Sequence, residues 1–271
     1  MTPLRHDDDL LARVRAMPPV DTTYRFGLWH RDRLTLRGIR VEARVQARRL
    51  ITPRNEDVRK FLIIGRARSG TTLLKDLLDA HPEMTCDGEM LHSLVLAPVS
   101  YLDNLAHKSR TAAYGAKLLS YQMAQVHRFR APARFLARLH RRGFRFVHLT
   151  RDTFDQTLSL AVAQARRKFH STQKDRETGA VRLDPSNFRR RLEWNDLLLQ
   201  YEKRALQDLP HLPISYEQGL SSEERQAETA ERVFQWIGVQ SRPVSSRLKK
   251  VLPKDPRQTI ENYDEIASAI P

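Results

Sequence analysis

The chain has a single cysteine, Cys86, among 271 residues. That excludes an intramolecular disulfide framework and any Cys-rich zinc or iron–sulfur module. It also suits a reducing compartment. Long apolar runs are missing too: no window approaches the 18 residues of a membrane span, and the densest, 61–64 and 94–97, are strand-sized. The first residues carry Asp7, Asp8 and Asp9 where a secretory leader would have its apolar core, so export is not expected. Ten Gly and fourteen Pro leave no low-complexity tract, and no internal repeat is visible. Aromatics are only 7 % and do not interleave with basic residues, which argues against base stacking on a nucleic acid.

Negative charge is the other scarcity. The net charge is +15, and from Asn104 to Arg151 there is no acidic residue at all, against eleven Lys or Arg. At 40 % hydrophobic residues the chain is no disordered polyelectrolyte. Such a balance implies an anionic partner: nucleic acid, anionic lipid, a phosphorylated small molecule or an acidic polymer.

Two regions are expected. Residues 1–55 read as a basic helical extension packed on the main domain, with helices at 7–17 and 31–50. The second holds seven Arg against Asp32 and Glu42. It reads as a helix with a solvated basic face or as a docking surface for an anionic membrane or polymer. Residues 56–271 alternate strand and helix patterns. Strands are expected at 60–65, 114–120, 144–150 and 212–216, and helices at 71–80, 122–141, 154–169, 187–209 and 222–237. Residues 82–108 read as a loop. The order predicts an α/β fold of three layers, P-loop-like, with a central parallel sheet flanked by helices.

The first strand runs into Gly65-Arg66-Ala67-Arg68-Ser69-Gly70-Thr71-Thr72. Glycines permit a tight turn there, and N–H groups at the following helix start point at an anion. The frame is that of a Walker A loop, but Thr71 stands where the phosphate-binding lysine belongs, and the strand 144–150 ends in Arg151 rather than a magnesium-binding aspartate. The loop therefore reads as a cradle for one terminal phosphate-like group without a metal. Arg151 at a strand end, with Ser159 two helical turns on, offers a second anion site.

On these residues the chain resembles the sulfotransferases that use 3′-phosphoadenosine 5′-phosphosulfate (PAPS), in their bacterial and carbohydrate-acting branch. Their 5′-phosphosulfate loop is similar to residues 67–74, and their Arg-x7-Ser segment for the 3′-phosphate to Arg151 and Ser159. A strand ending in Tyr-Glu resembles residues 214–217, a late helix ending in Gly resembles 233–238, and 253–263 resembles their C-terminal segment. Residues 1–55 carry no such likeness. The resemblance implies PAPS as co-substrate, PAP as product and no metal. It implies cofactor binding by Arg66, Ala67, Arg68, Ser69, Gly70, Thr71, Thr72, Arg151, Ser159, Tyr216 and Lys254, with Lys249, Lys250 and Arg257 closing over the 3′ end. Arg68 takes the place of the catalytic lysine, and Lys117 orients sulfate or acceptor.

The phenol-acting branch carries a His on the strand after the first helix, where this chain has Leu119. The carbohydrate branch carries a Glu in the loop after that helix, which Glu89 matches, 19 residues past Gly70. Glu89 is thus the expected general base, with Glu83, Asp87 and His92 as neighbours that read otherwise as solvated side chains. Trp194, Trp236 and His148 read as core residues, with a sugar pocket a second reading for Trp194. The acceptor expected is a carbohydrate or lipid-linked sugar, its pocket built from 82–108, 168–187 and the N-terminal helices. No nucleic-acid partner is expected, and the location expected is cytoplasmic, peripheral to an anionic membrane face. The rival readings are a P-loop kinase or nucleotidyl enzyme and, behind it, a basic nucleic-acid binder.

Overall fold

The structure, a computed structural model, describes residues 4–16, 35–51, 53, 55–166, 179–248 and 255–268. A five-stranded parallel sheet forms the centre, in the order β2-β3-β1-β4-β5. The strands are β1 (Arg59–Gly65), β2 (Met84–Glu89), β3 (Ala113–Leu119), β4 (Phe144–Thr150) and β5 (His211–Ser215). The helices are α1 (Leu4–Ala16), α2 (Leu36–Ile51), α3 (Thr71–Asp79), α4 (Pro98–His107), α5 (Pro132–His140), α6 (Thr153–Ala165), α7 (Pro185–Leu206), α8 (Tyr216–Gly219), α9 (Glu223–Ile237) and α10 (Tyr263–Ser268).

β1 is apolar on both faces because both are covered. Leu62 and Ile64 join a core with α4, α5 and α7, while Phe61 and Ile63 join one with α3 and α9. The three layers expected from the strand–helix alternation are therefore present. β1 lies between β3 and β4, and the chain leaves it in one direction to build β2 and β3 and in the other to build β4 and β5. That reversal opens a crevice at the carboxyl ends of the strands, where ligands bind in such sheets.

Two elements depart from expectation. Residues 82–108, read as a loop, contain β2 and α4. Residues 122–141, read as a helix broken at Pro132, form a π-helical turn (Gln122–Val126) and then α5. α1 packs on α7 and puts Val14 into the main core, and α2 packs on α4. Among the described residues no helix is long and apolar enough to cross a membrane. The expected residues Lys249, Lys250 and Lys254, and most of the 168–187 acceptor segment, lie outside the described residues.

Candidate active site

The anion loop is built as a compact turn. Ser69 is buried, and both its Oγ and its N–H donate to the Arg66 carbonyl, at 2.7 and 3.3 Å. Arg68 adopts a left-handed conformation (φ 66°) and Gly70 follows at φ 99°. A non-glycine residue there costs about 1 kcal/mol or more and marks a loop shaped by its surroundings. At Gly70 a Cβ would also approach Tyr216 Cδ2 to 2.6 Å, so glycine is required on two counts. α3 then starts with no side-chain cap on its first N–H groups and no acidic residue in its first turn. Those donors are oriented towards the crevice with the positive end of the helix behind them.

Arg66, expected as a cofactor ligand, is turned away from the crevice. Its side chain is buried (1 % exposed) and donates to Thr153 Oγ1 at 3.1 Å, the Asn195 carbonyl at 3.2 Å and the Arg151 carbonyl at 2.7 Å. It acts as a strut tying β1, β4 and α7 together. Burial pulls its guanidinium below the ordinary range, against the opposing charges of Glu202, Asp196, Asp152 and Glu217. Beneath it Asn195 Nδ2 donates to Thr157 Oγ1 at 2.8 Å, and Gln156 Nε2 to the Ala67 carbonyl at 2.6 Å. None of Gln156, Thr157 and Asn195 was among the expected residues. The Ser69 hydroxyl, expected on the 5′-phosphate, is likewise engaged within the turn, so the cradle rests on N–H groups and on Thr71 and Thr72. Thr71 is itself buried.

Arg151 follows β4, and its Nη1 donates to the Arg68 carbonyl at 3.1 Å, which pins the left-handed residue. Its guanidinium carbon lies 4.4 Å from the centroid of the Tyr216 ring, and its Nε is buried without a hydrogen-bond partner. Arg68 Nε in turn lies 3.3 Å from Ser159 Oγ on α6. The two expected anion sites therefore share one cluster of Arg68, Arg151, Ser159 and Tyr216. Glu217 supports its rim, accepting from Asp152 N at 3.1 Å and Ser215 Oγ at 2.7 Å. Burial raises its pKa, but these donors and the Arg151 charge outweigh it and hold the carboxyl below its usual range.

Glu89 ends β2. The register steps from Asp87 opposite Ala116 to Glu89 opposite Lys117, so Gly88 is an extra residue on the β2 side. Such a bulge re-aims the next side chain. Glu89 Oε1 lies 3.4 Å from Lys117 Nζ, and Oε2 accepts from Tyr121 Oη at 2.8 Å and Gln122 Nε2 at 3.1 Å. Lys117 Nζ also donates to Thr72 Oγ1 at 3.1 Å. A chain of contacts thus runs from the anion loop through Lys117 to Glu89. Tyr121 and Gln122 stand at the π-helical turn after β3, a distortion that often accompanies functional sites.

The alternatives to Glu89 are placed otherwise. Asp87 accepts from Tyr114 Oη at 2.7 Å, Glu83 is exposed in the turn before β2, and exposed His92 Nδ1 lies 2.7 Å from the Glu89 carbonyl. Trp194 and Trp236 are packed, Trp236 Nε1 donating to the Phe146 carbonyl. His148 sits in the interior, 3.1 Å from buried Glu202. Arg257, expected over the 3′ end, pairs with Asp264 at 2.7 Å and stacks on Tyr263. Among the described residues no three His, Cys, Asp or Glu side chains gather as a metal site needs.

No curated protein matches the chain. A crystal structure of a sulfotransferase from Alicyclobacillus acidocaldarius is similar over 78 % of this chain and 92 % of that one, at 13 % identity and a TM-score of 0.43. Residues 61–140 match the model of the sulfotransferase family. That stretch runs from β1 through α5 and holds the anion loop, Glu89, Lys117 and Tyr121; Arg151, Ser159 and Tyr216 lie beyond it. The anion loop and the carboxylate beside it thus lie inside the stretch that matches the sulfotransferase family model, which spans 80 of the 271 residues.

Proposed function

We propose that the protein is a sulfotransferase that moves a sulfuryl group from PAPS to a hydroxyl of a carbohydrate or glycolipid-type acceptor, with Glu89 as general base. The observation that carries this reading is the Thr72–Lys117–Glu89 chain, which puts a carboxylate beside an anion cradle. Leu119, at the end of β3, has no ionisable group to serve instead.

The residues present suit a donor with two separate anionic ends. The uncapped start of α3 offers N–H groups for one. The unpartnered Nε of Arg151, with Ser159, offers donors for the other. The Tyr216 ring beside them supplies an apolar face for a base. Bound here, PAPS supplies a sulfuryl group on an activated phosphosulfate anhydride.

Arg68 then stabilises negative charge developing on the bridging oxygen, in the manner of an oxyanion hole. Lys117 reaches both Thr72 and Glu89, so it positions the sulfuryl end relative to the base. Glu89 takes the acceptor proton as the acceptor oxygen bonds to sulfur and the bridging S–O bond breaks. Tyr121 and Gln122 donate to the one carboxylate oxygen, Oε2, and so orient Oε1 towards the loop.

Calorimetry with PAP and with ATP–magnesium tests the donor, and transfer from labelled PAPS to a panel of glycans and glycolipids tests the acceptor. PAP binding without ATP binding is the expected result. Tight ATP–magnesium binding with none to PAP assigns the loop to a kinase or nucleotidyl enzyme instead.

A further inference from the structure

α2 turns polar side chains inward, beside Val45, which packs on the main core. Glu42, 6 % exposed, accepts from the N–H groups of Leu96 and Ala97, both at 2.8 Å, and so holds the two residues that lead into α4. Gln46 Oε1 accepts from Ser100 Oγ at 3.2 Å and Asn104 Nδ2 at 2.7 Å. Its exposed side mixes large apolar side chains with Arg40 and Arg44. Leu36 is 74 % exposed and Ile51 81 %, with Ile39 and Val41 also exposed. At 100° per residue, positions 36, 39, 43, 47 and 51 fall on one side of the helix.

The large exposed apolar side chains found among the described residues are these four and Leu96, whose own N–H is held by Glu42. A surface helix ordinarily buries its apolar stripe and exposes its charges. Here Glu42 and Gln46 face inward with Val45, and Leu36, Ile39, Val41 and Ile51 are left outside.

The charge on that outer side is of one sign. Glu42 is the only acidic residue between positions 36 and 51, and it is turned inward, while Arg40 and Arg44 are exposed beside the apolar stripe. α4 lies between α2 and α5, and exposed Arg134 and Arg138 on α5 add to the cationic surface of the same helical layer.

We infer that the outer face of α2 docks on an anionic lipid surface. A bilayer offers hydrocarbon and anionic headgroups together, which is what this face complements. A polyanion such as nucleic acid or an acidic glycan would meet the arginines but leave Leu36, Ile39 and Ile51 in water. A second copy of the chain would bring two cationic faces together. The placement also has a consequence for the site. Glu42 holds residues 96 and 97, seven positions after Glu89, so docking brings the segment that follows the general base close to the bilayer. An acceptor anchored in that bilayer would be presented to Glu89 from there.

Co-sedimentation with phosphatidylcholine vesicles, and with vesicles holding about 30 % phosphatidylglycerol, tests this. The full chain is expected to bind the anionic vesicles at least about tenfold more tightly, with the preference weakened by salt. The triple variant Leu36→Glu, Ile39→Glu, Ile51→Glu and the double variant Arg40→Glu, Arg44→Glu should each lose about tenfold or more of that affinity. Because all five side chains are exposed, the circular dichroism melt should be unchanged in both. A wild-type chain that shows no lipid preference overturns the inference, as does unchanged binding in both variants. A dimer that dissociates in the triple variant assigns the face to a second copy and overturns it too. PAP affinity measured on the same samples separates the two proposals: a chain that binds PAP but ignores lipid loses only the docking face, and the reverse loses only the donor reading.

Discussion

Lys117 stands directly across from Glu89 in the β2–β3 register, with its ammonium 3.4 Å from one carboxylate oxygen and 3.1 Å from the Thr72 hydroxyl. The ion pair thus spans from the proposed base to the anion loop, so the two can be separated by mutation. Glu89→Gln keeps the shape and the amide oxygen that Tyr121 and Gln122 address, but removes the proton acceptor. Turnover should fall by about 10²–10⁴-fold, the ordinary contribution of a general base, while PAP affinity by calorimetry stays nearly the same. Unchanged turnover rejects Glu89 as the base. A matching loss of PAP affinity would instead give it a binding role.

Arg151 engages the Arg68 carbonyl and the Tyr216 ring, and its Nε is left unpartnered. Arg151→Ala should weaken PAP binding by about 1.5–3 kcal/mol, the range of a hydrogen bond to a charged group, or roughly 10- to 100-fold. Arg151→Lys should recover part of that through charge but not the stack or the planar fork. Both are measured by calorimetry. Affinity unchanged in the alanine variant removes Arg151 from the nucleotide site.

Much of this was legible locally. β4 occupies 144–150 as read, because the alternation of its apolar residues is a signal contained within seven positions. α9 ends at Gly238, left-handed at φ 84°, where the glycine signalled a C-cap. β2 was missed for a physical reason. It pairs with β3 alone and reads Met-Thr-Cys-Asp-Gly-Glu, with a bulge, so it has neither an apolar run nor a clean alternation. The roles that could not be read depend on distant partners. Arg66 looks like a phosphate ligand within its loop, but Arg151, Thr153 and Asn195, between 85 and 129 positions away, turn it inward. Tyr121 and Gln122 reach Glu89 across more than thirty positions, with no local pattern to mark them.

The strut assignment for Arg66 predicts an effect on stability. Arg66→Leu removes three hydrogen bonds, those to Thr153 Oγ1 and to the Asn195 and Arg151 carbonyls, from the buried and part-buried ground beneath the loop. The unfolding free energy should drop by at least about 2 kcal/mol, measured by urea denaturation. Glu202 would lose a nearby positive charge at the same time, which adds to the loss. A stable Arg66→Leu protein that binds PAP poorly would return Arg66 to the ligand set.

Acid should destabilise the fold through His127 as well as through its carboxylates. Burial lowers the pKa of this imidazole to about 4, against the opposing carbonyls of Leu91 and Ser93 and the charge of Glu42. Its ring stacks on Phe129, which stacks on Phe135, so it is packed as a neutral group. An unfolded histidine titrates near 6.5. Between these values the unfolded chain binds a proton that the folded chain does not. Its share of stability is therefore fully present above about pH 6.5 and is lost as the pH falls towards 4. His127→Phe cannot take that proton, so its unfolding free energy should fall less steeply than the wild type's across this window. Urea melts at several pH values measure both slopes; parallel slopes would show that His127 is protonated as readily in the fold as outside it.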